Sequence, residues 1–256
     1  MAGLRVRIAF EIGLVSLIAA ACAHSRFQTI EGGLDDAFVE QLRVEARRGT
    51  PVALSSYGGN PAIAFAAAPL IDSYPGEIGI GRMCLSSCAE FALPTTAHKI
   101  LVDEPLIGFH GSDQIARWLA SKTGQPEPYC DNARAEYQSD RFRALGWNPD
   151  FWKEVATRLM INSARNKAPP GQCASMASQH ELVMWFPTSR QMSDLLGFVP
   201  SKPLYADDEK CWRLRIRELM YPNNGFMIGD SIFYLTEDEK IEPISRDLFK
   251  GPYLVP

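Results

Sequence analysis

The chain has 256 residues, 46% of them apolar and 22% charged, enough to bury a sizeable core in one large domain or in one domain with a small appendage. Its 30 acidic residues outnumber 26 basic ones for a formal net charge of −4. No basic stripe runs through it, which argues against nucleic acid as a partner.

The amino-terminal segment reads as an export signal. Arg5 and Arg7 form a positive region, an apolar run from Ile12 to Ala21 follows, and small residues lead to Cys22. The run is about half the length that a bilayer crossing requires, so residues 1–23 are expected to be a cleaved signal. "LIAAAC" is also similar to a lipoprotein signal, in which acylated Cys22 would tether the chain to a membrane. Cleavage after Ala21 or Ala23 fits as well, and both processings stay open. Either predicts a periplasmic or lipid-anchored protein of the bacterial envelope.

From Phe27, "FQTI" reads as a strand that turns at Gly32-Gly33, and an amphipathic helix is expected from Leu34 to Arg48. "PVALSS" is a short buried strand, "NPAIAFAAAPLIDSY" a small-residue helix, "EIGIGRM" a strand and "SCAEFALPT" a helix. "KILVDE" and "LIGFHG" follow as two closely spaced strands. Strand alternating with helix predicts an α/β sheet with right-handed crossovers. Residues 112–168 read as a mainly helical insertion, and the aromatic run "GWNPDFW" within it as packing core. "ELVMWF" returns to strand, "PTSRQMSDLLG" to a capped helix ending at Gly197, and residues 201–256 form an extension with a hairpin, "GFMIGDSIFYLTEDEKIEPI".

Export would put Cys84, Cys88, Cys130, Cys173 and Cys211 in an oxidising compartment. Five is odd, so at least one stays free or pairs between chains. Cys130 with Cys173 is the first pairing to consider, because both flank the same helical region. Cys84 and Cys88 could pair or merely pack. A zinc site is disfavoured, because the Cys-x-x-x-Cys spacing lacks a matching second pair of ligands, and no metal or organic cofactor is implied.

Two serines compete for a nucleophile's role. Ser175, in "GQCASMAS", lacks a clear preceding strand, paired glycines upstream, and any histidine after His180. It reads as a polar loop or a helix start. Ser86, in "GRMCLSSCAEFA", stands at a strand–turn–helix transition, where the helix aims its free N–H groups at the turn. Gly58-Gly59 ends an earlier strand and lets backbone approach closely. His110 ends a later strand, 24 residues after Ser86. Each feature alone has an ordinary structural reading: a turn, an N-cap, a strand-end histidine. Their joint order points to a site.

"LSSYGGN", "CLSSCAEFAL" and "IGFHGS", in that order, resemble the Clp protease proteolytic-subunit superfamily with its crotonase-like fold, and its exported relatives with a serine between two cysteines. The resemblance spans about Phe27 to Val199. It implies Ser86 as nucleophile, His110 as general base and the N–H groups of Gly59 and Ser87 as oxyanion hole, with Ser87 as competitor for the nucleophile. It implies a peptide or protein substrate and a homo-oligomer. The family's acid position falls on Trp185 here. Glu181 is the nearest usable carboxylate, Asp194 lies on the wrong side, and a Ser-His dyad or a catalytically silent binding protein are the other outcomes. Acyl-CoA chemistry on the same fold suits an exported chain poorly.

Overall fold

The computed structural model describes residues 26–95, 100–123, 131–163, 182–219 and 225–244. It is a mixed α/β fold built on a parallel sheet. Strand β1 (Gln28–Leu34), helix α1 (Asp36–Arg48), β2 (Val52–Gly59), α2 (Pro61–Asp72) and β3 (Ile78–Leu85) alternate along the chain. After β3 comes α3, a π-wound turn over Cys88–Ala92 that runs on as Leu93–Thr95. Two short strands, β4 (Ile100–Leu101) and β5 (Leu106–Gly108), both pair with β3, β4 beside its start and β5 beside its end.

Local chemistry explains the boundaries. The Asp35 side chain caps α1 by accepting from the Phe38 N–H at 2.9 Å, and Gly49 closes the helix in the left-handed region. Phe38, Val39 and Leu42 face the sheet and are buried, each contributing roughly 1.5–3 kcal/mol. Asn60 caps α2 through the Ala62 N–H, and alanines at 64, 67 and 68 keep that helix close to the sheet.

The structure differs from expectation at Gly32-Gly33, which is not a turn. β1 runs through the glycines to Leu34 with a register irregularity, because Gly33, lacking a side chain, leaves room for the Tyr57 ring beside its backbone. The helix consequently starts at Asp36 instead of Leu34.

In the region read as a helical insertion lie α4 (Asp113–Thr123), α5 (Asn132–Ala144) and α6 (Phe151–Ser163). Phe151 and Trp152 are buried and meet Phe109 edge-on, with Phe109 and Phe151 centroids 4.9 Å apart. The aromatic residues of "GWNPDFW", Trp147, Phe151 and Trp152, therefore belong to the core, while the polar residues between them are exposed. β6 (Leu182–Phe186) then leads to α7, formed by Ser189–Gln191 and Met192–Leu196 and opened by a capping box on Thr188.

Beyond residue 201 there is more than a hairpin. Helix α8 (Glu209–Leu219) precedes β7 (Gly225–Ile228), β8 (Ser231–Leu235) and β9 (Ile241–Ile244). β7 pairs in parallel with β6, while β8 and β9 continue antiparallel, making a second four-stranded sheet. The sheets meet where Phe109 and Trp185 exchange backbone hydrogen bonds of 2.8 and 2.9 Å.

Candidate active site

Three parallel strands deliver the site to one edge. Ser56 pairs with Cys84 and Cys84 with Ile107, so Gly58, Ser86 and His110 leave the sheet together at its carboxyl end, where α/β folds gather functional groups. Ser86 Oγ lies 2.5 Å from His110 Nε2, and both residues are half-buried.

Ser86 has φ 55°, a left-handed conformation that only one other described non-glycine residue, Glu239, adopts. For an ordinary residue it costs on the order of 1–3 kcal/mol. Its surroundings hold it there. The Ser86 N–H donates to the Gly108 carbonyl at 2.9 Å, and the Ser86 carbonyl accepts from the Glu90 N–H at 3.0 Å. A disulfide between Cys84 and Cys88 closes the chain around the turn. The result is an elbow that lifts the hydroxyl off the strand at the start of α3, whose first N–H groups have no partner within the helix.

Glycine is obligatory at position 58. Its φ is 92°, and a Cβ there would sit 2.5 Å from Ser86 Cβ. The Gly58 N–H donates to Ser56 Oγ at 3.1 Å, which commits that donor. Gly59 pairs in register with Leu34 and is exposed. Its carbonyl accepts from Ser87 Oγ at 3.3 Å, so Gly59 and Ser87 are adjacent across the mouth between β2 and β3. The Ser87 hydroxyl is spent on that contact and Ser87 is buried, whereas Ser86 Oγ faces the imidazole.

Burial pushes the His110 pKa below its ordinary 6.5, so the imidazole is neutral at neutral pH. With its proton on Nδ1, the ring presents Nε2 as an acceptor to the serine hydroxyl. Among the described residues no carboxylate bonds to Nδ1. Trp185, where the resemblance put the acid, is fully buried with its indole N–H donating to the Gly229 carbonyl at 2.9 Å. Asp194 is paired with Arg190. Glu181, Ser175, His180, the cysteines at 130 and 173, and the amino-terminal segment with Cys22 lie outside the described residues.

Two features of the site carry no advance signal in the sequence: the left-handed backbone of Ser86, and the contact of Gly58, not Gly59, with that serine. A third could have been found. Glu90 is a lone acidic residue in the apolar stretch "SCAEFALPT", and it is buried behind the elbow.

Neither a family model nor any curated protein matches the chain. Among the described residues no group of His, Cys, Asp or Glu is arranged to hold a metal, and no helix is long and apolar enough to cross a membrane.

Proposed function

We propose that this chain is a Clp-protease-like serine hydrolase that cleaves amide bonds in peptide or protein substrates. The observation that carries the reading is the Ser86 Oγ to His110 Nε2 contact of 2.5 Å on a strained elbow. As Ser86 Oγ attacks the scissile carbonyl carbon, His110 Nε2 takes the hydroxyl proton. The carbonyl oxygen becomes an oxyanion, and the N–H groups of Ser87 and Gly59 receive it. The C–N bond then breaks, and Nε2 gives the proton to the departing amine, leaving an acyl group on Ser86. Water, deprotonated by the same nitrogen, releases the acid and restores the hydroxyl. Glu181 is the residue proposed to orient Nδ1. Export and assembly into a homo-oligomer belong to the same proposal, as does the crotonase-like ancestry of the sheet.

One observation favours a second reading, a catalytically silent member of the fold: His110 Nδ1 meets no carboxylate among the described residues. Labelling with a fluorophosphonate probe, followed by peptide mapping, separates the two. An adduct on Ser86 that vanishes in His110→Ala supports the hydrolase. No adduct, under conditions that label a control hydrolase, favours the silent scaffold.

A further inference from the structure

Behind the elbow lies a buried polar pair that the mechanism does not use. Glu90 is 4% exposed and Gln138, on α5, is fully buried. Gln138 Nε2 stands 3.5 Å from Glu90 Oε2, and Gln138 Oε1 has no hydrogen-bond partner. A buried acceptor without a donor is costly. A carboxylate has no proton with which to satisfy it, whereas a carboxylic acid has one.

We propose that Glu90 is a positioning residue held as the neutral acid, its O–H donating to Gln138 Oε1 while Gln138 Nε2 donates back, a two-bond latch tying α3, the helix that follows Ser86, to α5. The part of the proposal that concerns Ser86 rests on the hydrolase reading; the latch itself does not. Through its own N–H, Glu90 bonds the Ser86 carbonyl, so a shift of Glu90 is felt at the elbow.

The charged surroundings agree. Asp113, at the start of α4 and three residues after His110, raises the Glu90 pKa, and Arg134 of α5 lowers it. Arg134 is spent on Asp113 through two bonds of 2.8 and 2.9 Å and on Asp131 at 3.2 Å, and among the described residues no cation pairs with Glu90. Of the other ionisable groups on the packed helices, Tyr137 and Arg141 of α5 and Asp72 of α2 act on one another, while Glu136 pairs with Arg117 of α4 and Asp140 with Arg143. Burial above all, with Asp113 adding to it, holds the Glu90 carboxyl well above its usual 4.5, against the smaller lowering by Arg134 and by the Gln138 amide that donates to it.

The sign follows. A carboxyl raised on folding contributes stability that is complete below the unfolded value and is lost as pH rises through the folded one. Glu90→Gln keeps both bonds and removes the titration. Urea unfolding across a pH series from 5 to about 9 tests this, with fluorophosphonate labelling of Ser86 as the second readout. The wild-type unfolding midpoint is expected to fall as pH rises, and Glu90→Gln to lack that component. Labelling of the wild type is expected to decline on the alkaline side, and labelling of Glu90→Gln to persist. Identical pH dependence of the two midpoints, or a Glu90→Gln protein that does not fold, would overturn the latch. A midpoint difference with no labelling of either protein supports the latch and sinks the hydrolase reading instead.

Discussion

Ser86 and Glu239 share a backbone conformation, with φ of 55° and 59°, and almost nothing else. Glu239 sits in the exposed turn between β8 and β9, where its N–H donates to the Thr236 carbonyl at 3.0 Å and Thr236 Oγ1 accepts from the Lys240 N–H at 2.9 Å. There the left-handed residue simply closes a turn in solvent. Ser86 is held in the same geometry by Gly108, by Glu90 and by the disulfide, with an imidazole against its hydroxyl. Strain of equal kind has two meanings. What surrounds the residue decides between them.

The sharpest way to break this contrast is Ser86→Ala. Hydrolysis of a peptide substrate is expected to fall at least about a thousandfold, while the urea midpoint stays near that of the wild type because the strained backbone is kept. Residual turnover within tenfold of wild type would remove Ser86 from the chemistry and make its φ another Glu239.

Gly58→Ala tests whether the elbow needs close backbone approach. A Cβ 2.5 Å from Ser86 Cβ forces β2 and the turn apart, and the left-handed φ of 92° is strained for alanine. A loss of roughly 1–3 kcal/mol in unfolding free energy is expected, with probe labelling of Ser86 lost beyond the fraction unfolded. Normal labelling would mean that the turn tolerates displacement.

The acid limb of kcat/KM reports on His110. Because burial lowers its pKa, activity should persist below pH 6.5 and then drop about tenfold per pH unit below the lowered value. A limb centred above the ordinary value would mean that the imidazole is stabilised as a cation, contrary to its buried setting.

The smallest effect belongs to Glu239→Gly. Relieving the left-handed cost should raise stability by up to about 1 kcal/mol and leave labelling of Ser86 unchanged. A comparable effect on labelling would tie the β8–β9 turn to the site.

The parts of the site that follow chain order were legible. Strand, turn and helix around Ser86, the glycine pair and the strand-end His110 are local signals, and local signals survive in a single sequence. The contact of Gly58 with Ser86 was not legible, because the register between β2 and β3 shifts between Leu54 and Ser56, and one residue of slip decides which glycine faces the serine. Nor was the pairing of Glu90 with Gln138, 48 residues apart; the isolated acid in an apolar run says only that something must satisfy it. The parallel pairing of β6 with β7 escaped for the same reason, since 182 and 225 are far apart in the chain.

By itself the sequence determined the alternation of buried strands and capped helices, and with it an α/β sheet whose edge collects Ser86, His110 and Gly59. Periodicity and capping act over a few residues, so they are written locally. The tertiary structure decided the rest: the left-handed turn at Ser86, the 2.5 Å contact with His110, the disulfide around the elbow and the buried acid behind it. The disulfide joins cysteines only four residues apart, and the sequence left open whether they pair or merely pack; the others depend on contacts between segments remote in sequence, and on burial that only the packed sheet and helices create.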